Sequence, residues 1–299
     1  MPFLGELSAL ATACFWSGSS LSFAAATRRV GATHVNITRL VTAALLLLAV
    51  VLLSGLDRTL SQSQVLYLGA SGVVGFALGD TFLFQAFKRL GARLTMLIMS
   101  LAPAVAALLA LFMLGENISF IGAIGIGVTI CGVAYVAFEE QIDENQPGVS
   151  WSVSGLGFAF LAAAGQGGGL VLAKMAFRDG NVNGFVATMV RVLASLLVLV
   201  PATFFLRKFK NPVLVFRSDR RAFLLTLLGA ILGPFLGVVG SIVAIQHTRI
   251  GIAATIMATT PVLMLPLLRI IHKEHISRRA YIGAFIAVGG VALLFMRSF

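Results

Sequence analysis

Between Arg39 and Asp57 the chain runs seventeen residues without a charged side chain, and stretches like it recur from end to end. Runs of about twenty apolar residues are long enough to cross a hydrocarbon core of about 30 Å as helices. Charged residues make up 11% of the 299 positions and collect between the runs, against 59% hydrophobic residues and a mean hydropathy of +0.99. A water-soluble domain must turn a polar face outward and cannot conceal that much apolar surface. The short alternating segments of a closed β-barrel are absent. The pattern therefore predicts an all-α, multi-pass membrane protein with the lipid bilayer as its surroundings. A net charge of +11 would point to nucleic acid in a soluble chain. Here Lys and Arg sit in loops, where they set topology, and no nucleic-acid partner is expected.

Ten helices are predicted, near residues 6–27, 36–56, 65–87, 94–115, 120–138, 155–177, 184–206, 222–247, 252–271 and 280–296. A polar, acidic stretch, "EEQIDENQPGVSW", separates the first five from the last five. This divides the chain into a unit at 1–140, a linker at 141–154 and a unit at 155–299.

The two units say similar things in the same order. "GENIS" at 115–119 is answered by "KEHIS" at 273–277, and Pro103 by Pro261, each pair 158 positions apart. "LGA" recurs at 68–70 and 228–230, "IGA" at 121–123 and 282–284, and Arg39 has a counterpart in Arg191. Shared order along the whole chain marks an internal repeat. A unit of five helices ends on the opposite side of the membrane from its start, so its copy lies upside down. Two inverted five-helix repeats around a central cavity are a transporter architecture.

With "CFWSGSS" in the first helix, Arg39 in the second, "LIMSLAPAVAALLALFMLGE" in the fourth and "IMATTPVLMLPLLRIIHKE" in the ninth, the chain resembles the drug/metabolite transporter superfamily in its EamA-type, ten-helix branch. The resemblance implies a basket of helices around a central cavity and transport of small organic metabolites. The second half departs from the pattern: Gln166 stands where the first half has Trp16, and Lys273 replaces the glycine before the glutamate.

Individual residues carry two readings each. Asp80, in "FALGDTFLF", lies well inside the third helix, where an aspartate costs about 2.5–3.5 kcal/mol unless paired, hydrated or protonated. It is either one half of a buried ion pair with Arg39 or Arg191, or a cavity-facing site for a proton or substrate. Arg39, close to the start of its predicted helix, is expected to snorkel toward the headgroups; Arg191 lies deeper. Trp16, among serines and glycine, either packs or lines a substrate cavity with Gln166 opposite it. Pro103 and Pro261 each remove a helix hydrogen bond and are expected to kink their helices, as architecture or as gates. Glycine stripes at 69, 72, 75 and 79 and at 229, 233, 237 and 240 provide faces for close helix packing. Glu116 and Glu274 end their helices as turn residues, and Lys174 and the pair Gln246 and His247 sit near interfaces. Cys14 and Cys131, both in apolar runs, are expected as small packing residues rather than a disulfide or metal site.

The pattern fits a secondary transporter of small organic metabolites, working by alternating access and open to proton coupling. No nucleotide-binding motif is present to drive it with ATP. The alternative is a non-transporting membrane protein such as an intramembrane enzyme. The histidines, His34, His247, His272 and His275, lie at predicted span ends, so neither a catalytic residue nor a bound metal or cofactor is expected. The small-molecule substrate stays unnamed, and a homo-oligomer remains open. Loops 1–2, 3–4, 7–8 and 9–10 hold fifteen Lys and Arg against five on the opposite side. This places both termini outside the cytoplasm, whereas the resemblance implies cytoplasmic termini for many relatives. A bacterial-type inner membrane is the expected location.

Overall fold

The computed structural model describes residues 3–137, 152–180, 182–206, 211–248, 250–271 and 276–295. Every regular element among them is a helix. In chain order these are α1 (Leu4–Val30), α2 (Ala32–Leu53), α3 (Gln62–Gly72), α4 (Asp80–Met99), α5 (Ala102–Leu114), α6 (Phe120–Ala137), α7 (Val153–Arg178), α8 (Gly184–Phe205), α9 (Pro212–Ser218), α10 (Arg220–Ala230), α11 (Val238–His247), α12 (Ile250–Met257), α13 (Thr260–Ile271) and α14 (Arg278–Phe295).

Eight continuous helical stretches are long and apolar enough to cross a membrane. The longest, Gln62–Met99, runs 38 residues, nearly twice what a bilayer needs. It is interrupted at Gly91, whose φ of 76° and ψ of 176° lie outside helical space. A side chain at that φ is strained, so glycine marks the place where the chain changes direction. The break falls between the third and fourth predicted helices. α1 has the length of a span but is not among the eight, because serines dilute its hydropathy. Those hydroxyls are internally satisfied: Ser17, Ser20 and Ser22 donate to the carbonyls of Ala13, Trp16 and Gly18 at 2.7–2.9 Å. Satisfied in this way, they are compatible with an apolar environment.

The repeat in sequence is also a repeat in backbone. The helix from Gln62 widens to π geometry over Val73–Gly79, "VVGFALG", and the helix from Arg220 does the same over Ile231–Gly237, "ILGPFLG". The two wide turns lie 158 positions apart. The start of each helix is capped at the same offset, by Ser61 with Gln64 in a capping box and by Asp219 on the Ala222 amide. Arg29 bonds Asp219 at 2.7 Å and, with the Ala222 N–H, holds this exposed carboxyl below the ordinary carboxylate range.

At Pro103 and Pro261, where kinks are expected from sequence, two residues interrupt the helical ladder, with Ser100 and Leu101 still in helical φ/ψ. Each sits at the second position of a new helix, α5 or α13, after a break at Ser100–Leu101 or Ala258–Thr259. Proline is tolerated in the first turn of a helix, where its missing N–H costs least. The Thr260 hydroxyl donates to the Met257 carbonyl at 2.7 Å, the acceptor that a non-proline residue at 261 would have served.

Packing between the halves runs through small residues. Gly125 faces Gly290 and Gly132 faces Gly283, so α6 and α14 cross antiparallel, although they occupy equivalent places in the two units. The glycines of the second wide turn and its flanks meet α1: Gly229 at Phe23, Gly233 at Ser19, Gly237 at Trp16, Gly240 at Thr12. Reciprocally, Gly75 and Gly79 of the first wide turn meet Gly169 and Gly165 of α7. Without water to expel, close approach of backbones is what holds such helices together. A Cβ on Gly132 would lie 2.5 Å from the Ala287 nitrogen and 2.8 Å from the Gly283 oxygen. Gly132→Leu is therefore expected to destabilise the protein by about 1–3 kcal/mol. Gly127→Ala on the same helix, with nothing within 4 Å of its Cβ, should not. Thermal unfolding of both variants in detergent checks this.

Large apolar side chains fill the outer surface. Phe112 is 81% and Leu197 78% exposed, as suits a face that meets lipid. Cys14 and Cys131 are free and also exposed, which corrects the expectation that they pack inside. Each lies on a helix face turned away from its neighbours.

Candidate functional site

Asp80 begins α4, directly after the wide turn Val73–Gly79, and is 3% exposed. The π register closes with the Asp80 N–H on the Gly75 carbonyl. A wide turn of this kind changes the register of the following side chains and is a frequent mark of functional sites.

One carboxylate oxygen, Oδ2, accepts from Arg39 Nη2 of α2 in a buried ion pair. The other, Oδ1, accepts from Gln166 Nε2 of α7 at 2.6 Å. Gln166 Nε2 also lies 3.4 Å from the Gly75 carbonyl. Asp80 is thus held by one side chain from each half of the chain. Its charge is matched by Arg39, and each oxygen has a donor, which is the condition under which a buried charge persists.

Arg39 is itself over-determined. Its Nε donates to Asn36 Oδ1 at 3.1 Å. Asn36 Nδ2 in turn reaches the Thr81 hydroxyl at 3.0 Å and the Phe76 carbonyl at 3.3 Å. The guanidinium lies 5.2 Å from the Phe84 ring centroid and 5.9 Å from those of Phe23 and Phe76. Aromatic faces attract a cation, more so when water is excluded. Arg39 is 7% exposed and does not snorkel. α2 begins at Ala32, so Arg39 lies about two turns inside it.

Arg191, its counterpart on α8, lies over the Phe76 ring as well, 4.3 Å from its centroid. A Cβ on Gly75 would stand 3.5 Å from Arg191 Nη2, which places the guanidinium against the wide turn. The Arg191 Nε is buried and has no hydrogen-bond partner. Both arginines therefore converge on one stretch, Gly75–Asp80.

Trp16 packs at the second wide turn. Its half-buried indole lies against Gly237, at the position where the Gln166 backbone lies against Gly79 in the first wide turn. Pro261 lines a small cleft with Arg93 and Leu97, apart from the Asp80 assembly, and Pro103 stays half-buried at the start of α5. Glu116 bonds Lys174 at 2.7 Å and lies 3.8 Å from Arg178, both exposed, while Gly115 before it closes α5 at a φ of 65°. His272, Lys273, Glu274 and His275 lie outside the described residues, as does the side chain of Gln246.

Asn36, Phe76 and Thr81 escaped the sequence reading. Asn36 had a usable signal, a second polar side chain three residues before Arg39 and hence on the same helix face. Phe76 had none, since one phenylalanine among 23 carries no mark of its own.

A multi-pass helical membrane protein with two matching halves and a charged assembly at their junction belongs with membrane transporters. The chain is a member of the EamA-like transporter family, whose model matches residues 3–138 and again 153–296, and so of the drug/metabolite transporter superfamily. No curated protein matches the sequence. A crystal structure superposes with a TM-score of 0.67 over 98% of this chain and 97% of its own, at 18% sequence identity, a likeness of fold alone.

Proposed function

We propose that the protein is a secondary transporter of small organic solutes, built from two five-helix units of opposite orientation and working by alternating access in a bacterial-type inner membrane. The observation that carries this reading is the Asp80 carboxylate, bonded by Arg39 from one half and by Gln166 from the other. A site shared between halves changes when they move against each other, which is what alternating access requires. The antiparallel crossing of the equivalent helices α6 and α14 supports opposite orientation. The break at Gly91 and the restart at Ala102 support reading Gln62–Leu114 as two crossings, and with α1 this makes ten.

Proton coupling runs through Asp80 in this reading. A proton on the carboxylate removes the charge that holds Arg39 and leaves one fewer acceptor lone pair for Gln166. The two halves are then held less tightly together. The helix interruptions before Pro103 and Pro261 are the places where the two units flex.

A metabolite-wide comparison of cells with and without the protein names candidate solutes. Purified protein in liposomes then tests them, with a pH gradient imposed. Gradient-driven accumulation supports the reading; solute conversion without vectorial movement refutes it and favours an intramembrane enzyme. The loop charges place both termini outside the cytoplasm. A cysteine appended at the C-terminus of a variant lacking Cys14 and Cys131 is therefore expected to react with an impermeant maleimide in intact cells. Protection until the cells are permeabilised would reverse the orientation.

A further inference from the structure

We propose that the transported solute is a small organic anion, held through its carboxylate or phosphate by Arg191; this rests on the transporter reading above. Asp80 is the one acidic residue in the interior of an apolar helix among the described residues, and Arg39 already neutralises it. Arg191 brings a second positive charge to the same wide turn, and no carboxylate closes an ion pair with it among the described residues. The assembly of Asp80, Arg39 and Arg191 therefore carries a net charge of +1. An uncompensated charge inside a membrane is costly, and the residues that carry one mark substrate or ion pathways.

The geometry fits the same class of ligand. The Phe76 ring covers a face of the Arg191 guanidinium, which leaves its N–H edge as the route to a partner. Nε on that edge has no hydrogen-bond partner. Nε and an adjacent Nη form the fork that meets a carboxylate or phosphate with two parallel hydrogen bonds. Nη2 lies against Gly75, whose carbonyl is within reach of Gln166. An anion on Arg191 is thus beside the side chain through which the second half holds Asp80. Its arrival brings the assembly to neutrality, the condition for closing the site away from water. Arg191 is in this account a binding residue, while Arg39 is the structural counter-ion.

Benzoate, phenyl phosphate and the neutral isostere benzamide are the probes, with thermal unfolding of the purified protein as the first readout. A ligand that binds only the folded state raises the unfolding temperature, the more so the tighter it binds at a given concentration. Benzoate or phenyl phosphate, but not benzamide, is expected to stabilise the wild type, and the better of the two identifies the anionic group. Arg191→Gln should weaken that binding by tenfold or more. Arg191→Lys keeps the charge without the fork and should bind the anion with intermediate affinity; it carries the test if the glutamine variant does not fold. Equal stabilisation by benzamide, anion binding unchanged in both variants, or no binding of either anion overturns the proposal. Liposome flux separates this from the transporter reading. Flux of neutral or cationic solutes, equal in wild type and Arg191→Lys, would leave transport standing and remove the anion. Absence of flux for every class of solute would remove both.

Discussion

Replacing Arg39 by leucine is expected to destabilise the folded protein by about 3–5 kcal/mol, the range for removing one partner of a buried ion pair. The cause is the charge left behind. Asp80, 3% exposed, would keep Gln166 at 2.6 Å but lose the cation bonded to it. Asn36 would also lose the donor to its Oδ1. The double variant Arg39→Leu/Asp80→Leu removes the ion pair as a whole and should recover part of the loss, since an apolar pair can replace a buried ion pair at little cost, while Arg191 keeps its charge beside the same wide turn. Denaturant or thermal unfolding in detergent, read as a double-mutant cycle, measures the difference. A double variant no more stable than the single one would show that Arg39 acts through its three aromatic neighbours instead.

Asp80→Asn is expected to reduce gradient-driven transport to the background of protein-free liposomes. The amide keeps an oxygen of the same size in the same place and removes the titration. It can still accept from Arg39 or Gln166, so a stability loss of about 1–3 kcal/mol is expected rather than failure to fold. Exchange of substrate down its own gradient should survive better than uptake against one, because exchange does not require proton release. Asp80→Glu, which restores a titratable group in a slightly different place, should retain part of the driven flux. Undiminished driven transport by Asp80→Asn would return Asp80 to a structural role.

Much of the fold can be read from the chain because lipid imposes one strong rule. Each crossing must be a long apolar helix with its backbone satisfied, so the runs announce themselves. Asp80 was equally legible, since a carboxylate far from either end of an apolar run has few explanations. Its partner was not. Whether Arg39 or Arg191 meets Asp80 depends on how the helices are rotated, and the π turn at Val73–Gly79 alters that rotation without altering the hydrophobic pattern. Arg39 was misplaced toward the headgroups because α2 starts at Ala32, before the apolar run becomes obvious. The outward position of Cys14 and Cys131 was hidden for a related reason. In a membrane protein both faces of a helix are apolar, so periodicity does not say which one meets lipid. The interruptions before Pro103 and Pro261 were half legible: proline marked the place, but not that two residues there leave the helical hydrogen-bond ladder.

The central claim is that the two units lie upside down relative to each other around Asp80. Gln62 and Arg220 offer the most direct test. Each is exposed, each is the first residue of its helix, and they lie 158 positions apart in equivalent places of the repeat. Cysteines placed singly at these two positions, in a background lacking Cys14 and Cys131, can be probed with an impermeant maleimide in intact and in permeabilised cells. Opposite orientation predicts that one position reacts from outside and the other only after permeabilisation; the loop charges predict that position 62 is the outer one. Labelling of both from outside, or of neither until the membrane is opened, would put equivalent ends on the same side and contradict the account.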